Sequence, residues 1–206
     1  MEIKLWQHQV DCIKRAKDLD YFALFFQMGA GKTITTIQIL REKYKKHGKL
    51  LPTLIFAPPV VVQNWKKEIL KSSKIKEERI VPLVGTGKER LALFKGSDVN
   101  SIFITNFETL QMPDVFEYMK VVLKNTPSCL VVDESQKIKD ISAKRTKRMI
   151  ELGDIATYRY ILTGTPILND LMDIYSQFRV LDKGKAFGHN FFSFRARYFE
   201  DKNKAM

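Results

Sequence analysis

The sequence predicts an α/β fold: a mostly parallel sheet flanked by helices on both faces. Three observations carry that expectation. Six short apolar runs, rich in β-branched and aromatic residues, alternate with longer segments of helical periodicity, the pattern of strands joined by helical crossovers. The first run leads into a glycine turn, Gly29-Ala30-Gly31, followed at once by Lys32-Thr33. The fifth run ends on two adjacent acids, Asp133 and Glu134. Open parallel sheets bind ligands outside the carboxyl ends of their strands, and both polar groups fall there.

Residues 5–17 carry Trp6, Val10, Ile13 and Ala16 at helical spacing, which predicts a short helix with one face on the core. Gln7, His8 and Gln9 cluster on it. A glutamine amide offers a donor and an acceptor and suits the edge of adenine, so Gln9 reads as an adenine contact or as an ordinary surface glutamine. Residues 21–26 form the first strand. The N–H groups of the glycine turn and of the helix after it point at an anion, and the helix dipole favours negative charge there. In such a loop Lys32 reaches the terminal phosphates and the Thr33 hydroxyl holds Mg2+. The usual pattern has a glycine five residues before Gly31, a place held here by Phe26. The helix presents Ile37, Leu40 and Tyr44 on one face, and a basic turn over 43–49 follows it.

Leu54-Ile55-Phe56-Ala57 is the second strand, stopped by Pro58-Pro59 because residues before proline avoid helical dihedrals. Residues 60–70 read as a helix with Val61, Trp65 and Ile69 on one face. Trp65 there is a packing anchor rather than a stacking surface for a base. Lys66, Lys67, Lys71 and Lys74 face solvent or a phosphate backbone. Residues 80–84 are the third strand, and Gly85-Thr86-Gly87 is a plain turn into a helix over 88–94, since no Lys-Thr comes after it. Residues 102–105 are the fourth strand, with Asn106, Phe107 and Glu108 at its exit, and 113–124 is a helix ended by Thr126-Pro127.

Residues 129–132 are the fifth strand. Acids buried at its end are costly without a cation opposite. Mg2+ supplies one, with Asp133 on the metal and Glu134 on the attacking water. An acidic pair can also open a helix and complement its dipole; the glycine loop upstream favours the catalytic role. Residues 142–152 form a helix exposing Lys144, Arg145, Lys147 and Arg148. The sixth strand, 158–163, ends in Gly164-Thr165-Pro166, where the Thr163 and Thr165 hydroxyls and Gly164 are placed to sense the phosphate site. Leu171, Ile174, Tyr175, Phe178 and Leu181 mark the last clear helix. The remainder is aromatic and basic and should pack on something.

With 206 residues, 45% of them hydrophobic, the chain suits one well-buried domain with a small appendage. No apolar run approaches the ~20 residues of a membrane span, and the N-terminus lacks the layout of a signal peptide. Cys12 and Cys129 stand far apart, outside any metal-ligand spacing. An intracellular, reducing setting without a membrane partner is the expectation. The net charge of +12 favours a polyanionic partner such as nucleic acid over a merely solvated lysine-rich surface.

Taken in order, these segments resemble the motifs of the superfamily-two helicases, and among them the Swi/Snf-type ATPases that translocate on double-stranded DNA. LWQHQ resembles that family's glutamine motif, QMGAGKT its DMGLGKT, PPVVVQNWKKE its PxSLLxNWxxE and ITNFETL its ITSYETL. DESQKIKDISAK is similar to DEAHRIKNxxSK, and LTGTPILND to LTGTPIQNN. The stretch LMDIYSQFRVLDKGKAFGHNFFSFRARY resembles the family's segment beyond that last motif, so the similarity runs from residue 5 to about residue 199. Gln27 replaces the usual acid, Gln136 the histidine and Asp140 the asparagine.

The resemblance implies a RecA-like P-loop NTPase lobe over 1–183, with 184–206 as its aromatic and basic extension. It implies ATP and Mg2+ as cofactors and double-stranded DNA as partner. Gln9 falls at the adenine-contacting place, and Gly29, Ala30, Gly31, Lys32 and Thr33 at the phosphates. Thr33 and Asp133 fall at the metal, and Lys32, Asp133 and Glu134 at the catalytic positions. Gln136, in the histidine's place, can bond toward Thr163 or Thr165 and the phosphate, which would couple the acids to the loop after the sixth strand. Thr105, Asn106 and the segment after Pro59 are expected on the DNA phosphate backbone. In the family a second RecA-like lobe supplies arginines to the ATP site, and nothing after residue 199 corresponds to it. The chain alone is therefore expected to hydrolyse ATP weakly or not at all, needing that lobe in cis or in trans. Two other readings stay open: an RNA-directed lobe of the same superfamily, and a non-catalytic, nucleotide-regulated module that binds nucleic acid. The expected location is the cytoplasm for a bacterial or phage protein and the nucleus for a eukaryotic one.

Overall fold

Each apolar run becomes a strand, and each periodic segment a crossover helix. The computed structural model describes residues 4–125 and 127–199. The leader reading over residues 1–3, the helix stop at Thr126 and the last part of the 184–206 extension lie outside them. The strands are β1 (Tyr21–Leu24), β2 (Thr53–Phe56), β3 (Ile80–Pro82), β4 (Ile102–Thr105), β5 (Cys129–Asp133) and β6 (Tyr158–Leu162). They form one sheet in the order β1-β6-β5-β2-β4-β3, with every pairing parallel. The helices are α1 (Gln7–Ala16), α2 (Lys32–His47), α3 (Val62–Ser72), α4 (Gly87–Gly96), α5 (Pro113–Lys124), α6 (Lys144–Ile155), α7 (Asp173–Asp182) and α8 (Phe191–Phe199). The predicted α/β class, with its parallel sheet and helices, is the one observed.

Successive side chains of a strand point to opposite faces, and that parity sorts the core in two. Leu54, Phe56, Leu130, Val132 and Ile161 meet α5, α6 and α7 on one face. Ile55, Cys129, Val131, Tyr160 and Leu162 meet α1, α2 and α3 on the other. Asp133 continues the parity of Cys129 and Val131, so the last residue of β5 turns toward α2 and α3. Beyond Gly85, Thr86 caps α4 through a reciprocal pair with Glu89, which makes the second glycine turn a helix start.

Several helix faces differ from the sequence pattern. Trp6 stands just before α1 and is 59% exposed; Gln9, Cys12 and Ala16 are the buried positions. α2 lies between α1 and α3 and is buried over Thr35–Ile39 and at Lys43, leaving Tyr44 outside. The basic turn expected over 43–49 is instead the end of α2, stopped by Gly48 in the left-handed conformation. Leu171 precedes α7 and is exposed. The aromatic tail packs in part: Phe194 lies 4.9 Å from Tyr175, and Phe187 5.3 Å from Phe178, between ring centres, while Phe192 and Tyr198 stay exposed.

Candidate nucleotide site

Register brings the polar segments together. Leu24 at the end of β1 pairs with Leu162 at the end of β6, which pairs with Asp133 at the end of β5. Three neighbouring strands thus deliver the glycine loop, the Thr163–Pro166 segment and the acidic pair to one edge of the sheet. Between the loop and α3 lies a cleft of ≈ 200 Å³, lined by Gly29, Lys32, Thr33, Trp65, Asp133 and Glu134 among others.

Gly29 and Gly31 both have positive φ, 79° and 82°, a conformation costly for any residue with a Cβ. Phe26, at the place where the pattern expects another glycine, needs no such freedom: positive φ outside glycine is confined, among the described residues, to Glu134 and Lys183. The Ala30 N–H closes a turn onto Gln27 O, 3.2 Å. Gly31 starts α2 without a side-chain cap, so the first-turn N–H groups of the helix keep no partner of their own. The Lys32 ammonium lies over the loop and donates to Phe26 O, 3.1 Å.

Gln9 is buried against this loop. Its Nε2 donates to Ala30 O at 3.2 Å, and its Oε1 accepts the Trp6 N–H at 2.9 Å. His8 Nε2 also lies 3.0 Å from Ala30 O. A Cβ on Gly31 would stand 2.2 Å from Gln9 Nε2. Gln9 therefore braces the loop from α1, a role its sequence position did not reveal.

Asp133 is only 8% exposed. Its Oδ2 accepts the Trp65 indole N–H at 2.9 Å, and its Oδ1 the Glu134 N–H at 3.0 Å. Burial pushes its carboxyl above the ordinary value, while the indole pulls it back. Glu134 adopts the left-handed conformation (φ 53°), uncommon without glycine and a mark of a constrained position. Gln136 Nε2 holds its carboxylate at 2.8 Å. Among the described residues no cluster of three or more His, Cys, Asp or Glu could hold an ion alone. One carboxylate and one hydroxyl beside a phosphate-sized cleft suit Mg2+, which takes few protein ligands and completes its shell with phosphate and water. The residues present fit that ion.

Two expectations need correction. Gln136 does not bond to Thr163 or Thr165: its Nε2 is committed to Glu134 and its Oε1 is buried without a partner. Thr163 Oγ1 instead accepts the Thr165 N–H at 3.0 Å. Thr105, expected on DNA, is 0% exposed. Its hydroxyl belongs to a buried cluster in which Arg90 donates to Thr105, Asn106 and Thr109. Thr105 offers no surface to a nucleic acid; Asn106 is half-buried, its Oδ1 accepting from Arg90 and from the Thr109 hydroxyl. Two contributors escaped the sequence: Trp65 as a donor to Asp133 and Arg90 as organiser of the β4 exit; Gly164 lies where the sequence placed it, beside the phosphate loop. A Cβ on Gly164 would sit 3.3 Å from Phe26 O and 3.7 Å from Lys32 Nζ, so the β6 exit lies directly against the glycine loop.

Residues 22–204 match the SNF2-related domain. Over 203 residues the chain is 30% identical to protein p41 of Acyrthosiphon pisum secondary endosymbiont phage 1, covering 95% of this chain and 42% of that protein. Over 160 residues it is 30% identical to the chromatin-remodeling ATPase INO80 of Sclerotinia sclerotiorum, covering 73% of this chain and 9% of that one. The solved Sulfolobus solfataricus SWI2/SNF2 ATPase core in complex with dsDNA aligns with a TM-score of 0.73 and 26% identity, over 95% of this chain and 39% of that one. The chain spans less than half the length of each of these relatives. With its parallel sheet, glycine loop and acidic pair, it belongs to the SNF2-related domain family.

Proposed function

We propose that this chain is the ATP-binding lobe of a motor that couples ATP hydrolysis to movement along double-stranded DNA. The observation that carries the reading is the meeting of the glycine loop, Asp133-Glu134 and Thr163–Pro166 at the ends of three adjacent strands. Gly29, Ala30, Gly31, Lys32 and Thr33 bind the phosphates, and Gln9 braces the loop beside the adenine. Thr33 and Asp133 would hold Mg2+, which would supply positive charge to offset the negative charge developing on the phosphates. Glu134, turned by its backbone and held by Gln136, orients the attacking water and takes its proton. Thr163 and Thr165 respond to the phosphate site through Gly164.

In this reading residues 1–183 form the RecA-like lobe and 184–206 its extension. DNA enters the proposal on two supports: the net charge of +12 and the dsDNA with which the related Sulfolobus core is in complex. Exposed Gln63 and Lys67 on α3, and Lys144, Arg145 and Lys147 on α6, suit phosphate contacts that position without reading sequence. Fast turnover requires a second RecA-like lobe, because an arginine brought in from outside the nucleotide lobe is worth ~10³ to 10⁵ in rate.

The test is ATP turnover by this chain, alone and joined to a second RecA-like lobe, with duplex DNA, duplex RNA or neither. The proposal expects the joined form to be fast and stimulated by duplex DNA, and Glu134→Gln to keep nucleotide while losing turnover. Full DNA-stimulated turnover by the lobe alone, equal stimulation by RNA, or undiminished turnover in Glu134→Gln would each overturn the corresponding part.

A further inference from the structure

The expected amide link from Gln136 to the β6 exit is not made, yet another side chain spans the same gap. Gln177, on the buried face of α7, is 0% exposed. Its Oε1 accepts the Ser135 Oγ–H at 2.7 Å, and its Nε2 donates to Pro166 O at 2.6 Å and to Asp173 O at 2.9 Å. Ser135 directly follows Glu134, and Pro166 closes the segment whose Gly164 lies against Phe26 and Lys32. One amide therefore joins the Ser135 hydroxyl, next to Glu134, to the backbone of the segment touching the phosphate loop.

The neighbouring turn of α7 reinforces the join. Ser176 Oγ donates to the carbonyl of Ile138, 2.6 Å, or of Lys139, 2.8 Å. The Asp173 carboxylate accepts Lys139 Nζ at 3.3 Å and the N–H groups of Leu168 and Asn169 at 3.2 and 3.0 Å. The first turns of α7 thus grip both segments with three side chains. Buried polar groups satisfied in this way fix relative position, because any displacement leaves an unpaired donor or acceptor away from water.

We propose that Gln177 is a positioning residue: through Ser135 and Pro166 it makes the Glu134 segment and the Thr163–Pro166 segment respond to nucleotide as one unit. This rests on the nucleotide reading above. In place of a direct bond between the two segments, this chain uses a strut anchored in α7.

The test is amide hydrogen exchange on the 206-residue chain, with and without Mg2+ and a non-hydrolysable ATP analogue, for the parent, Ser135→Ala and Gln177→Leu. Ser135→Ala removes one hydroxyl and keeps the fold within reach should Gln177→Leu prove unstable. In the parent the analogue should slow exchange over 27–35, 134–139 and 163–168. In each variant slowing over 27–35 should persist, while slowing over 163–168 relative to 134–139 drops about tenfold, the scale of one buried bond lost. A merely structural glutamine would speed exchange alike in the free and bound forms and leave that ratio unchanged, which would overturn the proposal. Absence of slowing over 27–35 in the parent would overturn the nucleotide reading itself, and the strut with it.

Discussion

Gly29 and Gly31 share a left-handed backbone but not a neighbourhood, and alanine at each separates the two costs. A left-handed L-residue costs about 1–2 kcal/mol. Gly29→Ala should show only that, because nothing lies within 4 Å of its built Cβ. In Gly31→Ala the new methyl would stand 2.2 Å from Gln9 Nε2 and 3.1 Å from Ile34 Cγ2. Gln9 must then swing away and give up its bonds to Ala30 O and to the Trp6 N–H. At about 1 kcal/mol for each bond, Gly31→Ala should cost about 2 kcal/mol more than Gly29→Ala. Gln9→Ala alone should cost about 2 kcal/mol for the same two bonds, and close to nothing more in the Gly31→Ala background. The non-additivity, about 2 kcal/mol, is the coupling between α1 and the loop. Urea unfolding monitored by circular dichroism measures all four variants. Equal losses at the two glycines, or a full additional loss from Gln9→Ala after Gly31→Ala, would refute the bracing role of Gln9.

Other contacts lead to further expected outcomes. Trp65→Phe keeps the ring in the core but removes the donor to Asp133 Oδ2; losing a bond to a charged, buried carboxylate should lower unfolding stability by about 2 kcal/mol and raise the Mg2+ concentration needed for nucleotide binding. A loss under about 0.5 kcal/mol with unchanged Mg2+ dependence would show that the indole serves packing alone. Lys43, 0% exposed, donates to Lys17 O and Leu19 O, and burial holds its pKa below the ordinary 10.5. Between that depressed value and 10.5 the unfolded chain binds more protons, so this group's contribution to stability rises with pH and is lost as pH falls through the folded pKa. Parent stability should therefore gain on Lys43→Met as pH is raised through that alkaline window, and a pH-independent difference between the two would contradict the assignment.

What was legible in the sequence is what local chemistry dictates. Apolar runs, the Gly-Lys-Thr turn and the acids at the end of β5 sit within a few residues of the structures they form, and strand parity then sends Asp133 toward α2 and α3. What escaped depends on partners distant in the chain. Thr105 was placed on DNA by its motif alone, whereas Arg90, folded back from α4, and Thr109 enclose its hydroxyl. Tyr44 matched the helical period of α2, but a helix held between two others is buried by its surroundings rather than by its stripe. Trp65 was legible as an anchor from its spacing, whereas its indole bond to Asp133 joins residues on two elements 68 positions apart. Gln136 was placed by its motif, yet its amide turned to the nearer charge on Glu134.

The loop over Gly29–Thr33 and the acid Asp133 are proposed to bind a magnesium nucleotide. This binding is tested most directly by calorimetric titration of Mg·ATP into the 206-residue chain, beside Lys32→Ala and beside the parent with Mg2+ chelated. One saturable site is expected in the parent, lost in Lys32→Ala and weakened by at least tenfold without Mg2+, about 1.4 kcal/mol of binding. Equal binding in all three, or none in the parent, would contradict it.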